Sequence, residues 1–268
     1  QAHPPKSRSS AIHPRHTPSV SIILNSYDYK GDFPPPGKST ENGWLFGVAL
    51  RYTFEGGSEL PLFGRVQFDF SPSGTEYGGN EETVRGFMQD FTETTQNWFS
   101  RFEVDAGYMF RRILDSPIDF TPYIGYGYRF WRRELSGHNN LAGYLEDYSW
   151  SYLPIGVKGT MPFARNWSVG LEMALRIMVS GSIFIDLKDY NSPTLSLGNR
   201  LGWYMAVPVE YRTPSGWGAA VSFWYEHSGI DQSENSPKVI INFREDYIYE
   251  PPSRTHQFGF AFTGFYSF

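Results

Sequence analysis

The stretch that most constrains this chain is its last one, residues 256–268, HQFGFAFTGFYSF. Phe258, Phe260, Phe262, Gly264, Tyr266 and Phe268 fall on one side of a two-residue period. Gln257, Gly259, Ala261, Thr263, Phe265 and Ser267 fall on the other. That period belongs to a β-strand, here with one largely aromatic face and one mostly small or polar face. Left as the edge of an open sheet, such a strand would pair with foreign chains. Closing the sheet removes the edge, so this stretch predicts a strand that pairs back onto the first strand of the fold.

The same alternation recurs upstream, at about 19–29, 43–55, 61–71, 97–111, 119–134, 147–161, 166–181, 200–212 and 216–228. The second of these is the cleanest: Trp44, Phe46, Val48, Leu50, Tyr52 and Phe54 alternate with Leu45, Gly47, Ala49, Arg51, Thr53 and Glu55. With the terminal stretch this makes ten segments, eight and twelve being the neighbouring even counts. Pro154 weakens the sixth, because proline cannot donate to a ladder. Short turns at about 56–60, 112–118, 162–165 and 213–215 alternate with longer connections at about 30–42, 72–96, 135–146, 182–199 and 229–253. Five long and four short connections place both termini on the short-turn side.

Aromatic residues make up 18% of the 268 residues, yet the mean hydropathy is polar and no run of about 18 apolar residues occurs. A membrane helix is therefore excluded. A transmembrane β-barrel produces this combination, since lipid-facing residues alternate with polar lumen residues and aromatic girdles mark both interfaces. The terminal Phe268, with Tyr266 two residues before it and Phe262 in the same phase, resembles the C-terminal assembly signature of bacterial outer-membrane β-barrel proteins. The resemblance implies an all-β, single antiparallel up-and-down barrel in the outer membrane, with both termini periplasmic. It implies contact with outer-membrane lipid and lipopolysaccharide, and with the barrel-assembly machinery during biogenesis. Residues 1–18, rich in proline and without hydrophobic period, read as a flexible periplasmic tail, and 19–268 as the barrel. The chain has no cysteine, which excludes disulfides and thiolate chemistry. A net charge of −5 argues against nucleic acid as a partner. No cofactor or metal site is expected, and the leading reading is a non-enzymatic barrel that either has a structural role or binds a protein partner through its outer loops.

Ten strands enclose a narrow interior. The alternation assigns to it Arg51, Arg65, Asp69, Arg101, Glu103, Asp105, Arg129, Arg133, Glu172, Arg176, Glu210, Arg212 and Glu226. Unpaired charge is costly there, so these residues are expected to form a cross-lumen ion-pair network. The alternative is a narrow conduit for ions or small solutes, running along the small face of residues 256–268.

Enzymatic readings find less support. Outer-membrane lipid hydrolases use a His and a Ser two apart on one strand; His227 and Ser228 are adjacent and point to opposite faces. The length and strand number resemble the omptin surface proteases, but their Asp pair and Asp–His pair have no counterpart here. Val84, Phe87, Met88 and Phe91 keep a helical period inside loop 72–96, which predicts a short amphipathic helix that caps the barrel, lies at the membrane surface or docks a partner. Val239–Phe243 predicts a hairpin within the last long loop.

Overall fold

The computed structural model describes residues 13–34, 37–82, 88–111, 116–137, 143–187, 192–236, 239–241 and 244–268. Thirteen strands and no helix occur among them. Ten strands form the barrel wall: β1 (Arg15–Gly31), β2 (Ser39–Glu55), β3 (Leu62–Glu82), β4 (Met88–Tyr108), β5 (Asp119–Leu135), β6 (Tyr144–Ala164), β7 (Trp167–Asp186), β9 (Leu201–Arg212), β10 (Trp217–Ile230) and β13 (Ser253–Tyr266). Each pairs antiparallel with its neighbour, and β13 pairs with β1 from Ser19↔Phe265 to Gly31↔Ser253. The β6–β7 pairing completes the ring, so no wall strand is left as an edge over its membrane stretch. Three short strands lie at the far end: β8 (Thr194–Ser196) on the upper part of β7, and β11 (Val239–Ile241) with β12 (Arg244–Asp246) as the expected hairpin.

Alternation sets the facing. Val20, Ile22, Trp44, Phe46, Val48, Leu50, Phe102, Ile124, Leu175, Phe258, Phe260 and Phe262 are exposed on the outer wall, as a lipid-facing belt requires. Ring pairs mark its two margins: Trp217–Tyr266 and Trp167–Tyr211 near the short turns, Trp203–Tyr225 near the other. One short turn, Thr213–Gly216, depends on glycine. Gly216 adopts φ 92°, and a Cβ there would meet the Ser267 carbonyl. At the same end the start of β1 meets the end of the chain, His16 and Phe268 exchanging backbone hydrogen bonds of 2.9 and 3.1 Å.

The wall rises far beyond the belt. β3 and β4 each have 21 residues, where a tilted membrane strand needs roughly 9–11. Three sequence expectations are corrected by this extension. The long connections shrink, since pairing runs on through Glu82↔Met88 and Leu135↔Tyr144. The capping helix is replaced over Met88–Phe91 by strand, held by the β3 register and by a Tyr77–Phe91 ring contact; Val84 and Phe87 lie outside the described residues. The first strand begins at Arg15, so Arg15–Pro18 is wall and not tail, and residues 1–12 lie outside the described residues. The irregularity anticipated at Pro154 lies slightly further out. The register shifts between Ser151 and Tyr152, where Val179 is skipped.

Candidate functional site in the barrel lumen

Inward side chains divide the lumen into four levels. At mid-height nine of the thirteen assigned residues form one connected ion-pair network. Arg65 reaches Asp105 (2.7 Å), Glu172 (2.7 Å) and Glu103 (3.7 Å). Arg176 reaches Glu103 (3.2 Å) and Glu226. Arg101 joins Asp69 to Glu226 (3.3 Å), and Arg129 also binds Glu226. Phenols complete the carboxylates: Tyr152 donates to Glu103 (2.6 Å) and Tyr123 to Glu172 (2.7 Å). Arg65, Glu103, Asp105, Glu172, Arg176 and Glu226 are buried, so the network fills this level.

The other four residues lie elsewhere. Arg133 belongs to a second, outer cluster. Its Nε donates to Glu41 (2.7 Å) and its Nη1 to Glu146 (2.9 Å), with the guanidinium over the rings of Tyr29, Tyr77 and Trp131. Glu210 and Arg212 pair with each other at the turn end. Arg51 donates to the Gln67 amide oxygen (3.1 Å).

The outer cluster is also apolar. Trp131 stacks between Phe99 (5.4 Å) and Tyr148 (4.5 Å), and Tyr27, Leu45, Ile183, Leu195 and Ile230 pack around them. Strand β8 supplies Leu195, and the segment after β10 folds over the end through Ser233 N–Glu250 O (3.0 Å) and Ser236 N–Ile248 O (2.7 Å). Glu250 is thereby buried beside Tyr29, whose hydroxyl donates to it (3.4 Å). Burial, then the charge of Glu146, pushes its carboxyl up to about 8. This lid was missed in the sequence because Glu41, Glu146, Ile183 and Leu195 fell in stretches read as loop. The available signal was phase: Glu41 keeps the inward parity of Leu45 and Ala49.

Between network and lid lies a chamber of about 90 Å³, bordered by Trp131, Trp150, Trp224, Arg129 and Gln257. Below the network a cup of about 520 Å³ opens to the turn end, bordered by Ala261, Thr263 and Phe265 of β13. Free space thus follows the small face of β13, as anticipated, but it is interrupted. Trp224 borders both cavities and stands at the division.

The enzymatic constellations are not assembled. His227 lies against the ring of His256 (4.7 Å) in phase with outward Phe223 and Tyr225, while Ser228 borders the inner chamber. Asp69 is held by Arg101 deep in the lumen. Among the described residues no group of three or more His, Asp or Glu side chains is disposed to hold a metal ion. At the outer end Glu146 and Asp147 are bound by Arg133 and Arg132.

A closed, lipid-belted barrel with a packed charged interior defines an integral outer-membrane β-barrel protein. The sequence matches the family described as outer membrane protein beta-barrel domain over residues 9–243, and the chain belongs to that family. No curated protein matches it. Among solved structures it is similar to the outer membrane protease OmpT of Escherichia coli, with TM-score 0.63 and 12% identity over 95% of this chain and 96% of that one. That likeness is one of fold. The outer membrane protein OprG of Pseudomonas aeruginosa (TM-score 0.36, 9% identity, 96% of each chain) and the Yersinia pestis attachment invasion locus protein Ail (TM-score 0.32, 14% identity, 92% of this chain and 97% of that one) are further matches.

Proposed function

We propose that this protein is a closed, non-enzymatic outer-membrane barrel that presents its projecting end to a partner outside the cell. One observation carries the reading: the lumen is filled at two separate levels, by the mid-height ion network and by the aromatic lid. A barrel built for diffusion would not place buried Arg and Glu side chains across its whole section. The wall instead continues past the belt as 21-residue strands, roughly 70 Å along their own axis and so about 50 Å in height at barrel tilt, against an apolar band of about 25 Å. That projection, topped by the β11–β12 hairpin, is the surface offered to a partner. In this orientation the short turns and both termini face the periplasm, and the lipid belt meets lipopolysaccharide at its outer margin.

The test is electrical. Purified protein reconstituted in planar bilayers should give no persistent conductance steps, and steady steps from the unaltered chain would sink the proposal. The second reading, a gated narrow conduit, is favoured by the two cavities along β13, which the ion network and Trp224 divide. It predicts that Trp224→Ala conducts where the parent does not.

A further inference from the structure

The cup at the turn end carries more positive charge than its own acids neutralise. Six basic and four acidic side chains border it, an excess of two. Glu55 is shared, accepting from Arg15 and from Lys158 (3.5 Å). Glu210 is taken by Arg212, and Glu172 by Arg65. Arg51 has no carboxylate within ion-pair distance among the described residues, and its contact is the neutral Gln67 amide. Arg15, Lys158 and Arg212 line the cup with part of their side-chain surface still open. A guanidinium short of carboxylate partners suits an oxyanion better than any other acceptor. The Arg212 guanidinium is held against the Phe265 ring at 5.0 Å, so it is fixed in place and not swinging free.

The rest of the lining agrees. Thr17, Ser19, Ser21 and Thr263 make the β1–β13 wall polar, their hydroxyls bonded to Ser267, to the Arg51 carbonyl and, for Ser21 and Thr263, to each other. The volume of about 520 Å³ lies inside the usual range for small-molecule pockets, about 300–1,000 Å³. The floor sets a limit. The central network contains four arginines and five carboxylates, so it gives an entering anion no further attraction. A solute is held in the cup and not passed on.

We propose that the cup binds a small organic oxyanion, a phosphate or carboxylate monoester-sized solute, through Arg15, Arg51, Arg212 and Lys158. Its access from the periplasm rests on the orientation proposed above; binding to purified protein does not, so the two readings fail separately.

Isothermal titration of the detergent-solubilised barrel tests it with three probes: glucose 6-phosphate, gluconate and glucose. Saturable heat is expected from one or both anions and none from glucose, and the phosphate and carboxylate arms tell which head group is preferred. Affinity should fall with added salt. Arg51→Gln and Arg212→Gln should each weaken binding about tenfold, the equivalent of one charge-assisted hydrogen bond. Arg254→Gln, on the outer wall against Asp32, should leave it unchanged. Heat-modified migration on gels reports that each variant is folded. The proposal is overturned if neither anion binds at millimolar concentration, if glucose binds equally, or if folded Arg51 and Arg212 variants bind as the parent does. Should the variants not fold, binding of anions that is indifferent to salt in the parent overturns it as well.

Discussion

Replacing Glu250 with Gln should tighten the outer lid, and more so as pH rises. Glu250 is 6% exposed, near the Arg133–Glu146 pair and against Tyr29. Its carboxyl is pushed from the ordinary 4.5 up to about 8, chiefly by burial and then by the Glu146 charge, with Arg133, Tyr148 and Tyr29 opposing. A carboxyl raised in the folded lid contributes fully below pH 4.5, and that contribution is lost as pH climbs through 8. At pH 7 the closed lid keeps neutral a group that an opened one would ionise. The difference of 2.5 between pH 7 and 4.5 corresponds to about 3 kcal/mol, and above pH 8 to about 5 kcal/mol. Gln retains the oxygen that accepts from Tyr29 and removes the titration. Amide exchange reads this directly, because Ser233, Ser236, Ile248 and Glu250 donate hydrogen bonds within the folded-over segment. Their protection in the parent should fall by about a hundredfold between pH 5 and 7, and remain level in Glu250→Gln. Protection that is flat with pH in the parent, or that falls equally in the variant, would refute the reasoning.

Two further substitutions probe the two plugs. Glu226, 3% exposed, accepts from Arg101, Arg129 and Arg176, so Glu226→Gln should strand buried cations and cost about 3–5 kcal/mol, measured as a lower urea midpoint in lipid vesicles. Trp131→Ala removes the central ring of the lid stack and should cost about 3–5 kcal/mol of lid stability, seen as faster proteolysis of the segment after β10 with the membrane belt still protected.

Much of the wall was legible because the evidence for it is local. A strand with lipid on one side and charge on the other writes its own period, and Trp44 to Phe54 or Phe258 to Phe268 shows it within one segment. Above the membrane that contrast fades. The outer face there is polar, as at Thr40, Asn42 and Glu76, and inward residues alone cannot mark a strand. The extensions of β3, β4 and β7 were therefore read as loops, and the lid they hold together was lost with them.

The sequence by itself determined the barrel class, the even strand number, and which charges point inward. Those follow from a two-residue period and from where turns interrupt it. Only the tertiary structure decided which charges meet. Arg65 and Glu172 are 107 residues apart, and Arg101 and Glu226 are 125 apart. Their contact depends on the stagger with which ten strands close, and that stagger is a property of the whole ring and of no segment within it. The same closure separated Arg133 from the network and set Arg51 against a neutral amide with no carboxylate, so the lid and the cup became visible only once the ring was closed.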